Sequence, residues 1–361
     1  MTPLALRPMA SAHAARTPDA LPPSEPNRWP GFSRLPSSAS GSAFRPHAPR
    51  LRAPDHREVH EIAGFRVEIA DTRGFRREHE DAFFVGRFDP VRNDPRNALL
   101  DAFRDTDRIT RNNDCGATCT VAVVGVDRRI TLAHLGDSPA MLFVLSGETG
   151  DVHFQSLLRS HNTHDSVEKA RVEYCHTVEC LRLENNPLVD EKKLKKWLSM
   201  EDVTRRGRIL IPDGGSLSVS RAFGDRDYDW ALGRQPHITQ INLAERLPGL
   251  SHQDRVFLVV SCDGLTEVPS QDFELAQRWL ADCFRRTLKA GNDDHLAEHL
   301  ITHAYQHSHD NITAMVTEIP NVPGYGSGAV VIGVADGHGG HTTARQVAAN
   351  MSRLLCGGVM F

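Results

Sequence analysis

The stretch Ala329-Val330-Val331-Ile332-Gly333-Val334-Ala335-Asp336-Gly337-His338-Gly339-Gly340-His341 decides how the rest of the chain is read. Seven apolar or small residues in a row suit a strand covered on both faces, and the run breaks at once into a carboxylate and a glycine-rich turn. A carboxylate beside a buried apolar strand is costly unless it is paired or bound to a cation. The same arrangement recurs along the chain. An apolar strand at 256–261 stops at Cys262-Asp263-Gly264, and the strand at 312–319 begins just after His309-Asp310-Asn311. Glu80-Asp81 opens the run 81–88, and Gly136-Asp137-Ser138 follows the run 129–135. Any single Asp-Gly is most simply a turn. Five such carboxylates together suggest convergence on one hard-metal site, because Mg²⁺ and Mn²⁺ take carboxylate, carbonyl and water oxygens.

Outward from these strands, alternation at 65–70 and the run 81–88 read as a β-hairpin or meander around the turn-like 71–74. Residues 97–103 read as a short helix, 118–126 and 129–135 as strands joined near Asp127, and 141–145 as a continuation of that meander. The charged, helical stretch from 166 to about 207, with Leu194, Trp197 and Leu198 at one-face spacing, reads as a surface insertion. Helices are expected at 272–290, 293–305 and from 341 to about 355. Strands interleaved with long helices indicate mixed α and β layers. The row His295, His299, His303 and His307 invites a zinc reading, but Leu296, Ala297, Leu300, Ile301, Ala304 and Tyr305 on adjacent faces favour a row flanking a buried stripe.

The 361 residues carry 42 Lys and Arg against 46 Asp and Glu, the balance of a globular chain. That total hides a split. Residues 1–57 hold 11 of the 21 prolines, eight arginines and three acidic residues, a net of +5 that leaves about −9 on residues 58–361. A basic arm rich in Pro, Ser and Ala is expected to be disordered and to lie outside the folded domain. It lacks the apolar block of a secretory signal, and its prolines oppose an amphipathic targeting helix, although export or organelle targeting through it stays open. No apolar run approaches the ~20 residues needed to span a bilayer, and the negative body argues against nucleic acid as a partner. Seven cysteines without a Cys-x-x-Cys pair argue against a disulfide framework or a thiolate zinc site, so an intracellular and by default cytoplasmic setting is expected.

Seven short motifs spread over residues 60–361 carry a specific resemblance. They are Gly74-Phe75-Arg76-Arg77-Glu78-His79-Glu80-Asp81, Gly116-Ala117-Thr118-Cys119-Thr120, Gly136-Asp137-Ser138, Ser220-Arg221-Ala222-Phe223-Gly224-Asp225, Ser261-Cys262-Asp263-Gly264-Leu265, Asp310-Asn311-Ile312-Thr313, and the Asp336 to His341 turn. Together they resemble the PPM-type metal-dependent protein serine/threonine phosphatases, the protein phosphatase two C family. The resemblance implies an α+β fold, a four-layer α-β-β-α sandwich of two mainly antiparallel sheets flanked by helices. It implies two Mg²⁺ or Mn²⁺ ions held by Asp81, Asp336, Asp263 and Asp310 with the carbonyl of Gly337, and Glu80 holding a metal-bound water. Arg76 matches the family's phosphate-binding arginine and His338 its general-acid histidine. Asp137 matches a ligand of a third, weaker ion, whose usual Asp companion is here Glu267. Residues 166–212 match the variable flap, where the basic run from Lys192 to Arg208 is either a solvated face or a grip for acidic partners.

The implied activity is hydrolysis of phosphoserine and phosphothreonine in proteins by metal-activated water. The alternatives are a catalytically weak relative that binds phosphoproteins or regulates, and a hydrolase of small phosphoesters. One departure stands out. The Asp-Gly-His strand and helix, 329–361, follow the Asp-Asn-Ile-Thr strand, whereas the family places them soon after the Glu-Asp strand. The nine residues 320–328 can span at most ~30 Å, enough to carry the strand to its usual slot in the same chain. Docking into a neighbouring copy is the second option, so that a monomer is expected and a swapped dimer is the variant, and a rearranged gene is the third.

Overall fold

The computed structural model describes residues 28–35, 53–200, 202–267, 273–321 and 328–357. One sheet has the strand order β1 (Ser33–Leu35), β8 (Val152–Ser156), β7 (Ala140–Leu145), β14 (Arg255–Ser261), β15 (Ile312–Ile319), β3 (Phe65–Thr72), β2 (His56–Ile62). The other runs β13 (His237–Asn242), β6 (Arg129–Leu135), β5 (Gly116–Gly125), β16 (Ala329–His338), β4 (Ala82–Phe88), with the short β12 (Phe223–Gly224) also on β5. All pairings within both sheets are antiparallel. Helices α5 (Phe273–Lys289) and α6 (Leu296–Ala304) cover the first sheet, and α1 (Pro95–Thr110) and α7 (Thr342–Leu355) cover the second. This is the expected α+β, four-layer arrangement.

Period-two alternation explains why the central strands are apolar throughout. Val256, Leu258 and Val260 of β14 face Val330, Ile332 and Val334 of β16 in the core between the sheets. Their neighbours Phe257 and Val259 turn outward onto Leu280 and Phe284 of α5, while Ala329, Val331 and Ala335 turn onto Val347 and Met351 of α7. Each strand therefore buries both faces, and a carboxylate is tolerated only where it ends.

The displaced strand reaches the central position within its own chain. β16 lies between β5 and β4, with Ala335 opposite both Cys119 and Ala82. A sheet is indifferent to covalent order when register and polarity are kept, so the late strand fills the slot next to the early Glu80-Asp81 strand.

Three expectations are corrected. The runs 65–70 and 81–88 do not pair as a hairpin, because β3 belongs to the first sheet and β4 to the second. Likewise β7 crosses to the first sheet and does not extend the β5–β6 meander. Alternation identifies a strand's faces but not its partner, and both crossings are made by loops at the rim that carries the carboxylates. The third correction concerns the arm. Residues 28–35 are part of the folded body, with Trp29 and Phe32 buried in the inter-sheet core and β1 pairing with β8. Trp29 Nε1 donates to the Pro248 carbonyl at 3.1 Å, and Arg28 pairs with Asp254 at 3.1 Å. Two aromatics three residues apart bury enough surface locally to outweigh the polar average of the arm. Residues 1–27 and 36–52 of that arm lie outside the described residues.

The insertion has its own small core. Helices α2 (Ser166–Glu184) and α3 (Glu191–Leu198) sit beside the three-stranded sheet β9 (Thr204–Arg205), β10 (Arg208–Leu210) and β11 (Ser216–Leu217), around Val172, Val203, Ile209 and Ala231. The last short helix, α4 (Leu243–Arg246), follows β13. The apolar residues beside the histidine row on α6 are buried as expected, and His303 stacks on Trp279 at 3.7 Å. No helix among the described residues is long and apolar enough to cross a membrane.

Candidate functional site

Five strand ends from the two sheets meet at one rim. Asp81 precedes β4, Asp310 precedes β15, Asp263 follows β14, Asp137 lies between β6 and β7, and Asp336 sits near the end of β16. The register that opposes Ala335 to Ala82 places Asp336 beside Asp81. The Asp263 amide donates to Asp336 Oδ2 at 3.4 Å, and Ser138 Oγ lies 3.5 Å from the same oxygen. Thr313 Oγ1 donates to Asp81 Oδ2 at 2.8 Å, whereas Asp81 Oδ1 is buried with no hydrogen-bond partner. Gly337 lies where an added Cβ would collide with the Glu80 carbonyl, so only glycine lets the two rim segments approach.

The electrostatics of this rim are those of crowded, buried carboxyls. Burial, followed by repulsion from each other and from Asp137, Asp310 and Asp81, pushes the carboxyls of Asp263 and Asp336 well above the ordinary range. Burial also raises Asp81, against the opposing pull of His79 and the Thr313 hydrogen bond. Asp137 is pushed up to about 6 by burial, partly offset by His338. An orphaned buried oxygen, an all-oxygen donor set and mutually repelling carboxylates fit a hard divalent cation.

The loop between β3 and β4 brings Arg76 and Glu80 to the same rim, and the last residue of β16 brings His338. Arg76 Nη2 contacts Asp310 Oδ2 at 2.6 Å, and its guanidinium also feels Glu80 and Asp263. His338 Nε2 lies 2.6 Å from Asp225 Oδ2. Burial opposes a charge on His338, yet the Asp225 hydrogen bond and charge, aided by Asp137 and Glu80, lift its pKa above the usual 6.5. Glu267 is engaged beside Asp310: its Oε2 accepts from Ser308 Oγ at 2.8 Å and from the His309 amide at 2.9 Å, bracing the loop before Asp310.

Two organising residues lay inside motifs quoted from the sequence without a role. Asn311 Oδ1 accepts from the Glu80 amide at 2.8 Å, while Nδ2 donates to the carbonyls of Arg73 at 2.8 Å and Glu78 at 3.0 Å. One side chain thereby fixes the whole loop that carries Arg76 and Glu80. Asp225 adopts φ 51° after β12, a left-handed conformation that Asp and Asn accept better than most residues. Gly116 lies against this pair, where a Cβ would collide with both Asp225 Oδ2 and His338 Nε2.

A family-level sequence pattern for Protein phosphatase 2C matches residues 57–312. The match ends before β16, in keeping with the unusual place of that strand. Curated relatives include the probable protein phosphatase 1N of Mus musculus, 28% identical over 259 residues, covering 69% of this chain and 54% of that protein. The probable protein phosphatase 2C 8 of Arabidopsis thaliana is 28% identical over 194 residues, covering 51% of this chain and 47% of its own. The chain thus spans about half the length of these curated relatives. Among solved structures, a serine-threonine phosphatase 2C from Toxoplasma gondii aligns over 80% of this chain and 99% of its own, with 16% identity and a TM-score of 0.46.

Proposed function

Because the chain belongs to the protein phosphatase 2C family, we propose that it hydrolyses phosphoserine and phosphothreonine in proteins with water activated at a centre of two Mg²⁺ or Mn²⁺ ions. The observation that carries this reading is the meeting of Asp81, Asp263, Asp310 and Asp336 at one rim, where burial raises the carboxyls of Asp81, Asp263 and Asp336 and their neighbours' negative charges add to it. These four carboxylates and the Gly337 carbonyl would hold the ions, with Asp137 available to a third. Such ions, when bound, spread the charge of the phosphate and make hydroxide available near neutral pH.

The chain's own groups then have distinct tasks. Arg76, half-exposed beside Asp310, swings its planar fork onto the non-bridging phosphate oxygens. Glu80, held by Asn311, accepts a hydrogen bond from the attacking water and orients it. As the water oxygen bonds to phosphorus, the bond from phosphorus to the serine or threonine oxygen breaks. The departing alkoxide is a strong base, and His338 donates a proton to it. With Nε2 tied to Asp225, Nδ1 is the nitrogen left to deliver that proton.

The test is Mn²⁺-dependent release of phosphate from phosphoserine and phosphothreonine peptides by the purified full chain, with Asp263→Asn and Asp336→Asn as controls. Metal-dependent turnover lost in both variants supports the reading. Absence of metal-dependent turnover, or turnover that survives both substitutions, overturns it, and preference for small metabolites over phosphopeptides would reassign the substrate.

A further inference from the structure

Outside the carboxylate rim, three histidines from three separate segments converge at the edge of the second sheet. His134 lies on β6, His237 opens β13 directly opposite it, and His161 lies in the loop between β8 and α2. One ring nitrogen from each falls within 4.8 Å of the others. His134 and His161 are buried, and His237 is exposed.

We propose that His134, His161 and His237 form a second metal site, for a first-row transition ion of the Zn²⁺ class, distinct from the carboxylate centre. The donor chemistry separates the two. Three imidazoles suit Zn²⁺ and its neighbours, whereas the oxygen-only rim suits Mg²⁺ and Mn²⁺. His134 already has the form of a ligand. Its Nε2 bonds the Arg159 carbonyl at 2.9 Å, so that nitrogen carries the proton and Nδ1 keeps its lone pair. That Nδ1 is buried and has no hydrogen-bond partner. Fixing the far nitrogen by a carbonyl is how proteins orient metal-binding imidazoles. Burial lowers the pKa of His134 to about 4 and, with its neighbours' charges, that of His161 to about 2, so both are neutral at physiological pH. The exposed His237 provides the entry path and leaves a fourth position to water.

The geometry also says what must move. The rings of His134 and His161 stack at 4.2 Å with planes 4° apart, and parallel rings cannot both aim a lone pair at one ion. His161 must therefore turn about its Cβ–Cγ bond, giving up the 3.2 Å hydrogen bond that its Nδ1 accepts from the Gly136 amide. That bond is long for its type and the least costly to exchange. Because the His161 amide also donates to the Gly136 carbonyl at 2.9 Å, an ion here would brace the loop that carries Asp137.

The experiment uses the untagged full chain with excess Mg²⁺ to occupy the oxygen ligands. Zn²⁺ is titrated against a chromophoric chelator, and Co²⁺ is added separately to record ligand-field absorption. The expected result is one tight equivalent with a four-coordinate Co²⁺ spectrum, weakened at least ~10-fold in both His237→Gln and His161→Gln and unchanged in Asp263→Asn. His237 is exposed, so its variant should keep the parent melting temperature in EDTA and report on binding alone. No tight equivalent in the parent chain, binding indifferent to both histidine variants, or binding lost only in Asp263→Asn would overturn the proposal, leaving the trio as a packing contact.

Discussion

Replacing Asp225 by Asn tests how the proposed acid is held. Asn is isosteric and accepts the left-handed φ of 51°, so the turn after β12 should survive. What disappears is the negative charge 2.6 Å from His338 Nε2, the leading influence that raises the pKa of that histidine against its burial. A hydrogen bond to a charged group contributes about 1.5–3 kcal/mol, and a loss of that size in the transition state lowers kcat about 10- to 100-fold. The loss should depend on the leaving group. Serine leaves as a strongly basic alkoxide and needs the proton, whereas p-nitrophenolate is a weak base and leaves almost unaided. Parallel assays on a phosphoserine peptide and on p-nitrophenyl phosphate should therefore show the full loss on the first and less than about 3-fold on the second. The pH profile adds a sign. With His338 raised above 6.5, the alkaline limb of kcat on the peptide lies above that value, and Asp225→Asn moves it to lower pH. Equal losses on both substrates would refute the reasoning in favour of a purely structural role. An unchanged rate on the peptide would show that His338 does not deliver the proton, or does so without Asp225.

Two further outcomes follow from the packing and from the charge of the rim. Trp29→Ala empties a fully buried indole site and should destabilise the chain by about 3 kcal/mol, the low end for such a truncation because the segment lies on a sheet edge. Thermal unfolding should register a fall of roughly 5–10 °C, and removal of residues 1–57 should cost at least as much; a parent-like transition in either would place residues 28–35 outside the folded body. Carboxyls whose folded pKa lies above the usual 3.8 cost stability as pH rises through the interval between the two values, which for Asp137 extends to about 6; Asp263 and Asp336, raised well above 3.8, act in the same direction. A cation relieves that cost and must displace the retained protons, so the rise in melting temperature on adding Mg²⁺ to EDTA-treated protein should be larger at pH 8 than at pH 5.5. A rise that is equal at both values, or larger at the lower one, would count against cation binding by these carboxyls.

Much of the site was legible because its signal is local. A strand with both faces covered must be apolar along its length, so Asp81, Asp263, Asp310 and Asp336 stand out as charges where such runs end. Their clustering in space agrees with that reading, as does the α+β sandwich. The pairing of strands was not legible, since period-two alternation marks faces and is silent about neighbours; hence β3 and β4, read as one hairpin, lie in different sheets. Composition misled at Trp29 and Phe32, where an average over 57 residues concealed two aromatics that bury themselves.

The sequence by itself therefore determined which strand ends carry carboxylates and the layers that cover the strands, because burial and charge act on residues close together in the chain. Tertiary structure alone decided that β16, arriving last, lies between β5 and β4 and brings Asp336 to Asp81. It alone paired His338 with Asp225 and gathered His134, His161 and His237. Those contacts join residues far apart in sequence, and they depend on which strand edges and loops the packed sheets bring together, a property of the whole fold that no local pattern carries.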